Sequence, residues 1–534
     1  MPGERDGGGL MADTPMVNLT IEGRAVSVPA GTSILEAAKQ AGVLVPHYCY
    51  HPGLPVAGVC RMCLVEVEKA PKLVPSCATA VAEGNVVHVH SPKALEARKG
   101  VLEFLLINHP LDCPICDQAG ECELQDYTFR EGRASGRLGP EPKRFNPAED
   151  FGGDVLYVTN RCILCTRCVR FMDDVAGEPV LAVAERGDRA VIANFEGREL
   201  THPWAANVID LCPVGALISK DFLNKARAWE LDRTASVCPN CTQGCNATLE
   251  TRDNVVVRMK PRANEAVNRF YLCDEGRADY RWLNRGDRLE APLLRHGERL
   301  AAADWDAAIK SAALHLHGKQ VHVLASPMLS TESLWMLSRL VKKVGGRGAF
   351  RVRTGTEAPL AGVPDLARRA ERAANVRAAE MFGFVKSDRP LDAMAPGDVL
   401  IIADHELQPG DAAAVAKAGA VMVIGTHLDE MARRAMAAFP STNMAEEDGT
   451  FVNLRGRVQR YRQAKQAPGM SRPVWWTLSD LLAYLGEGTN YFTAAEAFAA
   501  MAAARPEFAG MSHDALGFTG AMIAGAAEPA GASR

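Results

Sequence analysis

A histidine and three cysteines stand close together in one short stretch, at His109, Cys113, Cys116 and Cys122. Thiolates and imidazoles are ligands for zinc and for iron-sulfur clusters, so these residue types at this spacing indicate a metal centre. The chain holds 15 cysteines, all of them between residues 49 and 273. An odd number of cysteines with repeated C-x2-C spacings, in a chain without a secretion signal, argues against disulfides and for metal ligation.

Spacing divides the cysteines and His109 into four ligand groups, each with the four ligands that an iron-sulfur cluster or a structural zinc ion takes. The first group is Cys49, Cys60, Cys63 and Cys77; the second is His109, Cys113, Cys116 and Cys122; the third is Cys162, Cys165, Cys168 and Cys212; the fourth is Cys238, Cys241, Cys245 and Cys273.

The first group has the spacing C-x10-C-x2-C-x13-C, which departs from the C-x4-C-x2-C of plant-type ferredoxins only in its longer first gap. Glycines and prolines at 52–58 would let backbone amides approach the sulfurs, as a 2Fe-2S cluster requires. We therefore predict a 2Fe-2S cluster. The alternative is a zinc ribbon with four thiolates, whose usual spacing is shorter.

The third group begins as a bacterial ferredoxin run, C-x2-C-x2-C, and Cys212-Pro213 supplies the fourth ligand from a distance. Met172 stands where the fourth cysteine of that run would be, so only one of the two ferredoxin clusters keeps its ligands, and we predict one 4Fe-4S cluster. For each of Arg161, Arg167 and Arg170 a solvated basic face is the simpler interpretation, and tuning of the cluster potential is the alternative.

His109 taken alone is an ordinary surface or capping histidine before a proline. Its position four residues before Cys113, and the assignment of every other nearby thiol to another group, predict that it completes a 4Fe-4S site with three thiolates. The fourth group predicts a further 4Fe-4S cluster, and structural zinc is its main competitor because C-x2-C pairs bind both metals.

Alternation of apolar and polar residues predicts the elements that position these ligands. Ser33 and Glu36 predict a capping box at the start of a helix. Strands are expected at 16–21, 24–29 (a hairpin around Glu22-Gly23), 63–67 and 85–90, and helices from 34 to near Gly42 and over 92–108. Beyond about residue 290, buried-strand runs at 320–325, 398–403 and 419–424 alternate with helical segments at 329–345 and 409–418, which predicts a doubly wound α/β body.

Composition excludes several functions. The formal net charge is -4 and no Lys/Arg-rich run occurs, so nucleic acid is not an expected partner. Neither a G-x-G-x-x-G turn after a strand nor a P-loop is present, so the sequence carries no fingerprint of dinucleotide or nucleotide binding. No apolar run approaches the ~18 to 20 residues that span a bilayer, and residues 1–16 lack the apolar core of a signal peptide, so a cytosolic protein is predicted.

The order of the groups resembles the large iron-sulfur subunit of respiratory NADH:quinone oxidoreductase, complex I, known in bacteria as the G subunit. The match is carried by the first and fourth groups, by HPLDCPICDQAGEC at 109–122 and by RCILCTRCVR at 161–170 with CPVGAL at 212–217. Residues 447–459, EDGTFVNLRGRVQ, resemble the E-G-T-F-x-N-x-E-G-R-x-Q segment of the molybdopterin-oxidoreductase-like body in these subunits, with Arg455 in place of the usual Glu. Many members of the family also extend further at the C-terminus.

The resemblance implies a multidomain α+β and α/β chain with this order of domains: 16–94, a 2Fe-2S ferredoxin-like (β-grasp) domain; 95–135, a His/Cys 4Fe-4S domain; 150–230, a ferredoxin-like 4Fe-4S domain; 231–288, a small 4Fe-4S domain of molybdopterin-oxidoreductase type; 289–490, the α/β body; and 491–534, an Ala-rich tail. The Ala-rich end from 494 is expected to be either a docking helix with a loose tail or largely disordered.

In the family, electrons from NADH pass through an FMN-bearing flavoprotein to the 2Fe-2S cluster, then to the third-group cluster and then to the His/Cys cluster. They leave towards quinone through a ferredoxin-like subunit with two 4Fe-4S clusters.

The resemblance thus implies one 2Fe-2S and three 4Fe-4S clusters, with no catalytic residue, FMN, NAD or molybdopterin on this chain. It also implies these and other peripheral-arm subunits as partners, and a cytoplasmic place on the inner face of the bacterial membrane without direct insertion. The fourth-group cluster lies off the main path in the members that have it, which implies a structural role.

The same front modules occur in iron-only hydrogenases and NAD-linked formate dehydrogenases. Their active-site clusters need ligands beyond the 15 cysteines, which the four groups use completely. A diaphorase or electron-transfer subunit of such an enzyme is one alternative. A zinc-stabilised scaffold protein is another, and colour and iron content would separate it from a relay.

Overall fold

The computed structural model describes residues 15–137, 139, 148–195 and 197–526. The chain divides into two compact units, Met1–Trp229 and Glu230–Arg534. The first unit contains the first three ligand groups, and the second unit contains the fourth. Within the described ranges, none of the helices has the length and apolar character that spanning a bilayer requires.

The first unit combines short strands with a few helices. Its elements are β1 (Met16–Ile21), β2 (Arg24–Pro29), α1 (Ile34–Gln40), β3 (Leu64–Val67), β4 (Val74–Pro75), β5 (Val86–His88), α2 (Pro92–Leu106), α3 (Glu123–Glu131), β6 (Glu149–Gly152), β7 (Val155–Tyr157), α4 (Arg167–Arg170), β8 (Leu181–Ala184), β9 (Val191–Asn194), α5 (Asn207–Leu211) and β10 (Leu217–Ser219).

The predicted hairpin is confirmed. Ile21 pairs with Arg24, so Glu22 and Gly23 alone form the turn, both with positive φ (51° and 75°), as a type I′ hairpin turn requires. The hairpin belongs to a five-stranded sheet of order β2-β1-β5-β3-β4, and the strands expected at 63–67 and 85–90 are its β3 and β5. Two smaller sheets follow, of orders β10-β7-β6 and β8-β9.

Helix α1 starts as predicted, because the Ser33 hydroxyl accepts a hydrogen bond from the Glu36 amide at 3.2 Å. The Glu36 carboxylate was expected to complete a capping box. It accepts instead from the Tyr50 hydroxyl at 2.8 Å, which ties the helix to the loop that carries Cys49.

Helix α2 carries Arg98, whose side chain has no exposed surface. Its guanidinium donates to the Glu131 carboxylate at 2.9 Å, to the Leu64 carbonyl at 3.5 Å and to the Val89 carbonyl. A buried charge is tolerated when it is paired and hydrogen-bonded, so Arg98 joins the first sheet to the end of α3.

The second unit is larger and its strands alternate with helices. Its elements are β11 (Asp232–Val237), β12 (Asn246–Arg252), β13 (Val255–Pro261), α6 (Asp274–Ala278), β14 (Leu293–His296), β15 (Arg299–Ala302), α7 (Trp305–Leu316), β16 (Val321–Ala325), α8 (Thr331–Lys343), β17 (Arg347–Phe350), β18 (Ala358–Pro359), β19 (Ala367–Arg368), α9 (Val376–Met381), β20 (Val385–Lys386), β21 (Val399–Ala403), α10 (Ala412–Val415), β22 (Ala420–Gly425), α11 (Glu430–Arg434), β23 (Ala437–Pro440), β24 (Gly449–Val452), β25 (Arg457–Tyr461), α12 (Val474–Tyr484), α13 (Ala494–Ala504), α14 (His513–Leu516) and β26 (Ala521–Met522).

An eight-stranded sheet of order β15-β14-β23-β22-β21-β16-β17-β20 forms the body. Strands β23 to β20 in that order are parallel, and alternate residues of β16 and β21 enter two separate apolar cores, one on each face. The predicted doubly wound α/β fold is confirmed. The antiparallel edge made by β14 and β15 was not predicted.

The Ala-rich end is more ordered than expected. Its first part is the docking helix α13, opened by a capping box between Thr493 and Glu496. The expected loose tail is wrong for the residues that follow, because β26 pairs with β25 and Phe508 is fully buried. Residues 527–534 of the predicted tail lie outside the described residues.

Candidate functional site

The four thiols of the first group come together beside the first sheet. The Cys63 and Cys77 sulfurs are 3.4 Å apart, and the Cys49 amide donates to the Cys60 sulfur at 3.5 Å. Hydrogen bonds from Cys60 and Cys77 hold the pKa of the Cys49 thiol well below its ordinary value, and a hydrogen bond from Cys77 lowers the pKa of Cys63 to about 6. The same hydrogen bonds raise the pKa values of Cys60 and Cys77, so the four thiols share their protons as one set.

Backbone amides point at these sulfurs, as the sequence leads one to expect. The amides of Val59 and Cys60 donate to the Cys49 thiol, and that of Met62 donates to Cys60. Gly58 (φ +64°) and Arg61 (φ 58°) take the left-handed backbone that turns the loop around the sulfurs. Amide donors of this kind stabilise the negative charge that an iron-sulfur cluster carries.

The second group lies between α2 and α3. Cys113 opens a short 3-10 turn and is exposed, Cys116 is buried, and Cys122 caps α3. Cys116 acts electrostatically on Cys122 and is itself acted on by Cys113, so the three thiols are neighbours.

His109 is linked to this group through Arg161, whose charge acts on both His109 and Cys116. Burial lowers the pKa of His109, which favours the neutral imidazole that serves as a metal ligand. His109 and Cys116 thus share Arg161 as a charged neighbour, while the role of His109 as the fourth ligand stays a prediction.

Gly215 is a site residue that the sequence did not single out. A Cβ atom built on it would lie 2.2 Å from the Cys116 sulfur. Because Gly215 follows Cys212 by three residues, it brings the backbone of the third group directly against the second. The segment Cys-Pro-Val-Gly was the available signal, since an interior glycine often marks close backbone approach.

The four thiols of the third group line one small cavity, together with mainly apolar side chains such as Ile192, Val214 and Leu217. Burial raises the pKa of Cys162 to about 11 and that of Cys165 to about 12. Thiolates are therefore disfavoured here unless a cationic metal compensates their charge.

The loop between these cysteines is strained. Leu164 (φ 53°) and Thr166 (φ 59°) both take the left-handed conformation, which is rare for a β-branched residue such as threonine. The Leu164 amide donates to the Cys162 sulfur at 3.4 Å as a result. Strain held at a ligand loop is a common feature of functional sites.

Two of the three arginines in this motif are buried, so the solvated-face interpretation is wrong for Arg161 and Arg167. Arg167 donates to the Tyr50 carbonyl at 2.8 Å and to the Leu211 carbonyl at 3.1 Å. Arg170 is partly exposed, and its guanidinium donates to the carbonyls of Cys49 and Cys165.

The four thiols of the fourth group are all buried. A Cβ atom built on Gly276 would lie 3.2 Å from the sulfurs of both Cys238 and Cys273, so these two face the same point. The charge of Cys241 acts on Cys238, Cys245 and Cys273, and the charges of Cys238 and Cys273 also act on Cys245. Burial raises the pKa of Cys273 to about 12, so this site too needs a cationic metal to hold thiolates.

These donor sets fit iron-sulfur clusters, because they are rich in thiols that are buried or half-buried apart from Cys113, and because backbone amides of the first, third and fourth groups are directed at sulfur. Across the described ranges, no three Cys, His, Asp or Glu side chains close in on one point as the ligands of a single ion do. A 4Fe-4S cluster would need space between its four thiolates, and the cavity lined by the thiols of the third group offers such a space.

Five family models match the chain in order. They are a 2Fe-2S iron-sulfur cluster binding domain (14–92), the NADH-ubiquinone oxidoreductase-G iron-sulfur binding region (98–137), the NADH-quinone oxidoreductase subunit 3 ferredoxin-like domain (152–218), the molybdopterin oxidoreductase Fe4S4 domain (231–285) and molybdopterin oxidoreductase (369–484). The predicted order of domain types is confirmed.

Among curated proteins, the G subunit of NADH-quinone oxidoreductase from Rickettsia bellii is 42% identical over 333 residues, which are 62% of this chain and 49% of the relative. The mitochondrial 78 kDa subunit of NADH-ubiquinone oxidoreductase from Candida albicans is 44% identical over 335 residues, 62% of this chain and 46% of the relative. The chain thus matches about half the length of these relatives. Among solved structures, a chain of an NAD+-reducing [NiFe]-hydrogenase in its H2-reduced state matches with a TM-score of 0.36 and 30% identity, over 39% of this chain and 90% of that one.

Proposed function

Because the chain belongs to the family of the G subunit of NADH-quinone oxidoreductase, we propose that it is an electron-relay subunit of such a complex. It would hold one 2Fe-2S cluster on the first group and a 4Fe-4S cluster on each of the other three. When bound, these clusters each accept and pass on one electron at a time. The chain itself supplies ligands, amide donors and insulation from water, and no residue that reacts with a substrate.

One observation carries this proposal: the third group adjoins both the first and the second. Arg170 bridges the carbonyls of Cys49 and Cys165, and Gly215 lies against the Cys116 sulfur. Along the chain the third group comes after the second, but in space it stands next to each of them. This supports a route from the first group to the third and then to the second.

His109 suits the last position of that route. An imidazole is neutral where a thiolate is negative, so the second-group cluster would carry less negative charge than an all-thiolate cluster. Less negative charge favours the reduced state, so the electron would be held at the end of the chain before it leaves.

The fourth group is proposed to be structural. Its loop is fastened to the body by several hydrogen bonds, among them those from the Thr242 amide to the Glu371 carbonyl at 3.1 Å, from the Leu454 amide to the Thr242 carbonyl at 2.9 Å and from the Gln459 side-chain amide to the Gly244 carbonyl at 2.8 Å. A metal at this point would hold segments that are distant in sequence, as structural metal sites do.

The partners follow from the same proposal. NADH would be oxidised on an FMN-bearing flavoprotein subunit, and a ferredoxin-like subunit with two 4Fe-4S clusters would receive the electrons on the way to quinone. The complex would lie on the inner face of the cell membrane, with this chain on its cytoplasmic side.

Metal analysis tests the proposal. Chain purified without oxygen should contain about 14 iron atoms with matching acid-labile sulfide, and its reduced form should show one binuclear and several tetranuclear EPR signals. The isolated chain should neither bind flavin nor oxidise NADH. Zinc without sulfide would overturn the relay function in favour of a zinc-stabilised scaffold. Stoichiometric flavin on the isolated chain would overturn the proposal that a separate subunit binds FMN.

A further inference from the structure

The side chain of Arg170 donates hydrogen bonds to ligand-residue carbonyls of two groups. Its Nη2 donates to the Cys49 carbonyl at 2.5 Å and to the Cys165 carbonyl at 3.3 Å. Its Nη1 donates to the carbonyl of Pro55, in the same loop as Cys49. A single nitrogen therefore spans the first and third groups, which are 121 residues apart along the chain at this contact.

The position of the guanidinium is fixed from its own helix. Arg170 is the last residue of α4, and its Nε approaches the Thr166 hydroxyl at 3.4 Å. One turn earlier, Arg167 donates to the Tyr50 carbonyl, next to Cys49, and to the Leu211 carbonyl, next to Cys212. Arg167 is buried and makes further bonds to Glu123, so it serves as a fixed part of the core that keeps α4 in place.

We propose that Arg170 is a positioning residue for electron transfer between the first and third groups, acting by its fork of hydrogen bonds and by its charge. This inference rests on the proposed relay function. Arg170 bonds to backbone carbonyls of the predicted ligand residues, so its effect passes through the placement and the electrostatics of the two sites.

The step that it serves is a one-electron exchange. With clusters bound, one electron would pass from the first group to the third, so that oxidation at one site would equal reduction at the other without any change of bond or proton. The transfer rate depends steeply on the separation and on the bonded path between the sites. A guanidinium nitrogen that holds both carbonyls fixes that separation and provides a short bridge.

The charge of Arg170 acts at the same place. The thiols of Cys165 and Cys49 both act electrostatically on its guanidinium, which shows that both lie within range of its positive charge. A nearby cation stabilises the more negative, reduced state of a cluster. Removal of this charge should therefore make both potentials more negative.

Lysine separates the two effects. Its single ammonium keeps the positive charge but lacks the planar fork that reaches Pro55, Cys49 and Cys165 together. Methionine keeps a long, unbranched side chain but removes both the positive charge and the hydrogen bonds to the three carbonyls. A matched control is Arg24→Met, because Arg24 also donates to two carbonyls, those of Ala41 at 2.8 Å and Gly42 at 3.3 Å, but both lie within the first domain.

The experiment compares the full chain with R170M, R170K and R24M, each purified without oxygen, by iron and sulfide content, EPR-monitored redox titration and the magnetic coupling between the two reduced centres. Electron transfer is followed by freeze-quenched EPR after addition of substoichiometric dithionite. We expect R170M to keep its iron, to move both potentials negative and to slow the transfer on the order of tenfold, less than the ~100-fold that a 1 Å misplacement can cost. R170K should keep the potentials but show slower transfer and altered coupling, and R24M should match the native chain.

Unchanged potentials, coupling and rate in an iron-replete R170M would overturn the inference. If R170M fails to assemble its clusters, R170K decides: an iron-replete R170K with native coupling and rate would equally overturn it, and altered coupling would support it. Failure of the relay function itself would be visible separately, as absence of iron and sulfide from the native chain.

Discussion

The Nε of Arg161 donates to the Asp112 carboxylate at 2.9 Å, and each of these residues directly precedes the first cysteine of its group, Cys162 and Cys113. The Arg161 side chain is 8% exposed and that of Asp112 is 31% exposed, so the pair is partly screened from water. It ties the third group to the second as Arg170 ties the third to the first. The charge of Asp112 also acts on His109.

Asp112→Asn should move the potential of the second-group cluster in the positive direction. The change removes a negative charge beside that site, and a unit charge at ~8 Å in an effective dielectric of ~20 to 80 corresponds to a shift of roughly 20 to 90 mV. EPR-monitored titration checks this. Asp253→Asn, at an 88% exposed side chain of the second unit, is the control that should not move it. A negative shift in D112N would contradict the assigned surroundings.

His109→Cys and His109→Ala test the fourth ligand of the second group. The cysteine variant should retain the cluster at a more negative potential, because a thiolate adds a negative charge. The alanine variant should lose about four of the iron atoms or convert the cluster to a three-iron form with a different EPR signal. His88→Ala, at an exposed ring paired with Glu68, provides the control. A native spectrum in H109A would show that another residue is the ligand.

Gly215→Ala should damage the second-group cluster although Gly215 is not a ligand. The added Cβ would stand 2.2 Å from the Cys116 sulfur, far inside contact distance, so the sulfur or the backbone of the third group must shift. We expect loss or altered EPR of one tetranuclear cluster. Gly100→Ala is the matched control, because nothing lies within 4 Å of its added Cβ and a helix-interior alanine should stabilise by about 0.5 to 1 kcal/mol. An intact cluster in G215A would show that the Cys116 sulfur or the backbone can move aside without harm to the cluster.

Cys241→Ala should impair folding of the second unit more than electron flux. The Cys241 thiol accepts a hydrogen bond from the backbone of Arg369, so loss of this metal site would release the loop from the body. The expected result is a lower yield of assembled protein, with native flux per assembled complex. Cys165→Ala, on the proposed route, should show the opposite pattern. Normal assembly of C241A with abolished flux would put the fourth group on the route.

Glu447 predicts a pH dependence of the second unit. It is buried, it accepts hydrogen bonds from the Thr442 hydroxyl at 2.6 Å and the Tyr461 hydroxyl at 2.9 Å, and burial raises its pKa to about 8. A carboxyl with a raised pKa binds its proton more tightly in the folded state. The stability it contributes is full below its unfolded pKa, about 4.5, and is lost as pH rises to about 8, by at most ~5 kcal/mol.

Hydrogen exchange in β24 measures this dependence. Exchange of the Gly449–Val452 amides, corrected for intrinsic rates, should speed up from pH 5 to pH 8 in the native chain and much less in Glu447→Gln. Glu430→Gln, at a 74% exposed side chain, should behave as the native chain does. Equal pH dependence in E447Q and the native chain would assign it to another group.

The local signals in the sequence located most elements. Alternation around Glu22-Gly23 and the Ser33 cap predicted β1, β2 and α1, because turns and caps depend on residues a few positions apart. The apolar runs predicted β16, β21 and β22 for the same reason. The ligand groups followed from spacing, and the structure brings the thiols of each group together, while their role as ligands stays a prediction.

Contacts between distant segments could not be predicted. The bonds from Arg170 and Arg167 to the first group span 121 and 117 residues, and side-chain chemistry alone does not show which carbonyl an arginine will meet. The β14-β15 edge was missed because four-residue strands give too little alternation to recognise. The tail was misjudged because alanine-rich sequence has weak amphipathic signal, although Phe498 and Phe508 anchor it in the core.

The buried guanidinium of Arg98 sets where this chain can be cut. A fragment that ends at residue 94 lacks most of α2 and therefore lacks Arg98. The Leu64 and Val89 carbonyls of the first sheet region would then lose their hydrogen-bond donor. A fragment that ends between 98 and 131 keeps the cation but removes its Glu131 partner, which leaves an unpaired buried charge. We therefore expect the shortest stable piece with the first ligand group to extend through Glu131.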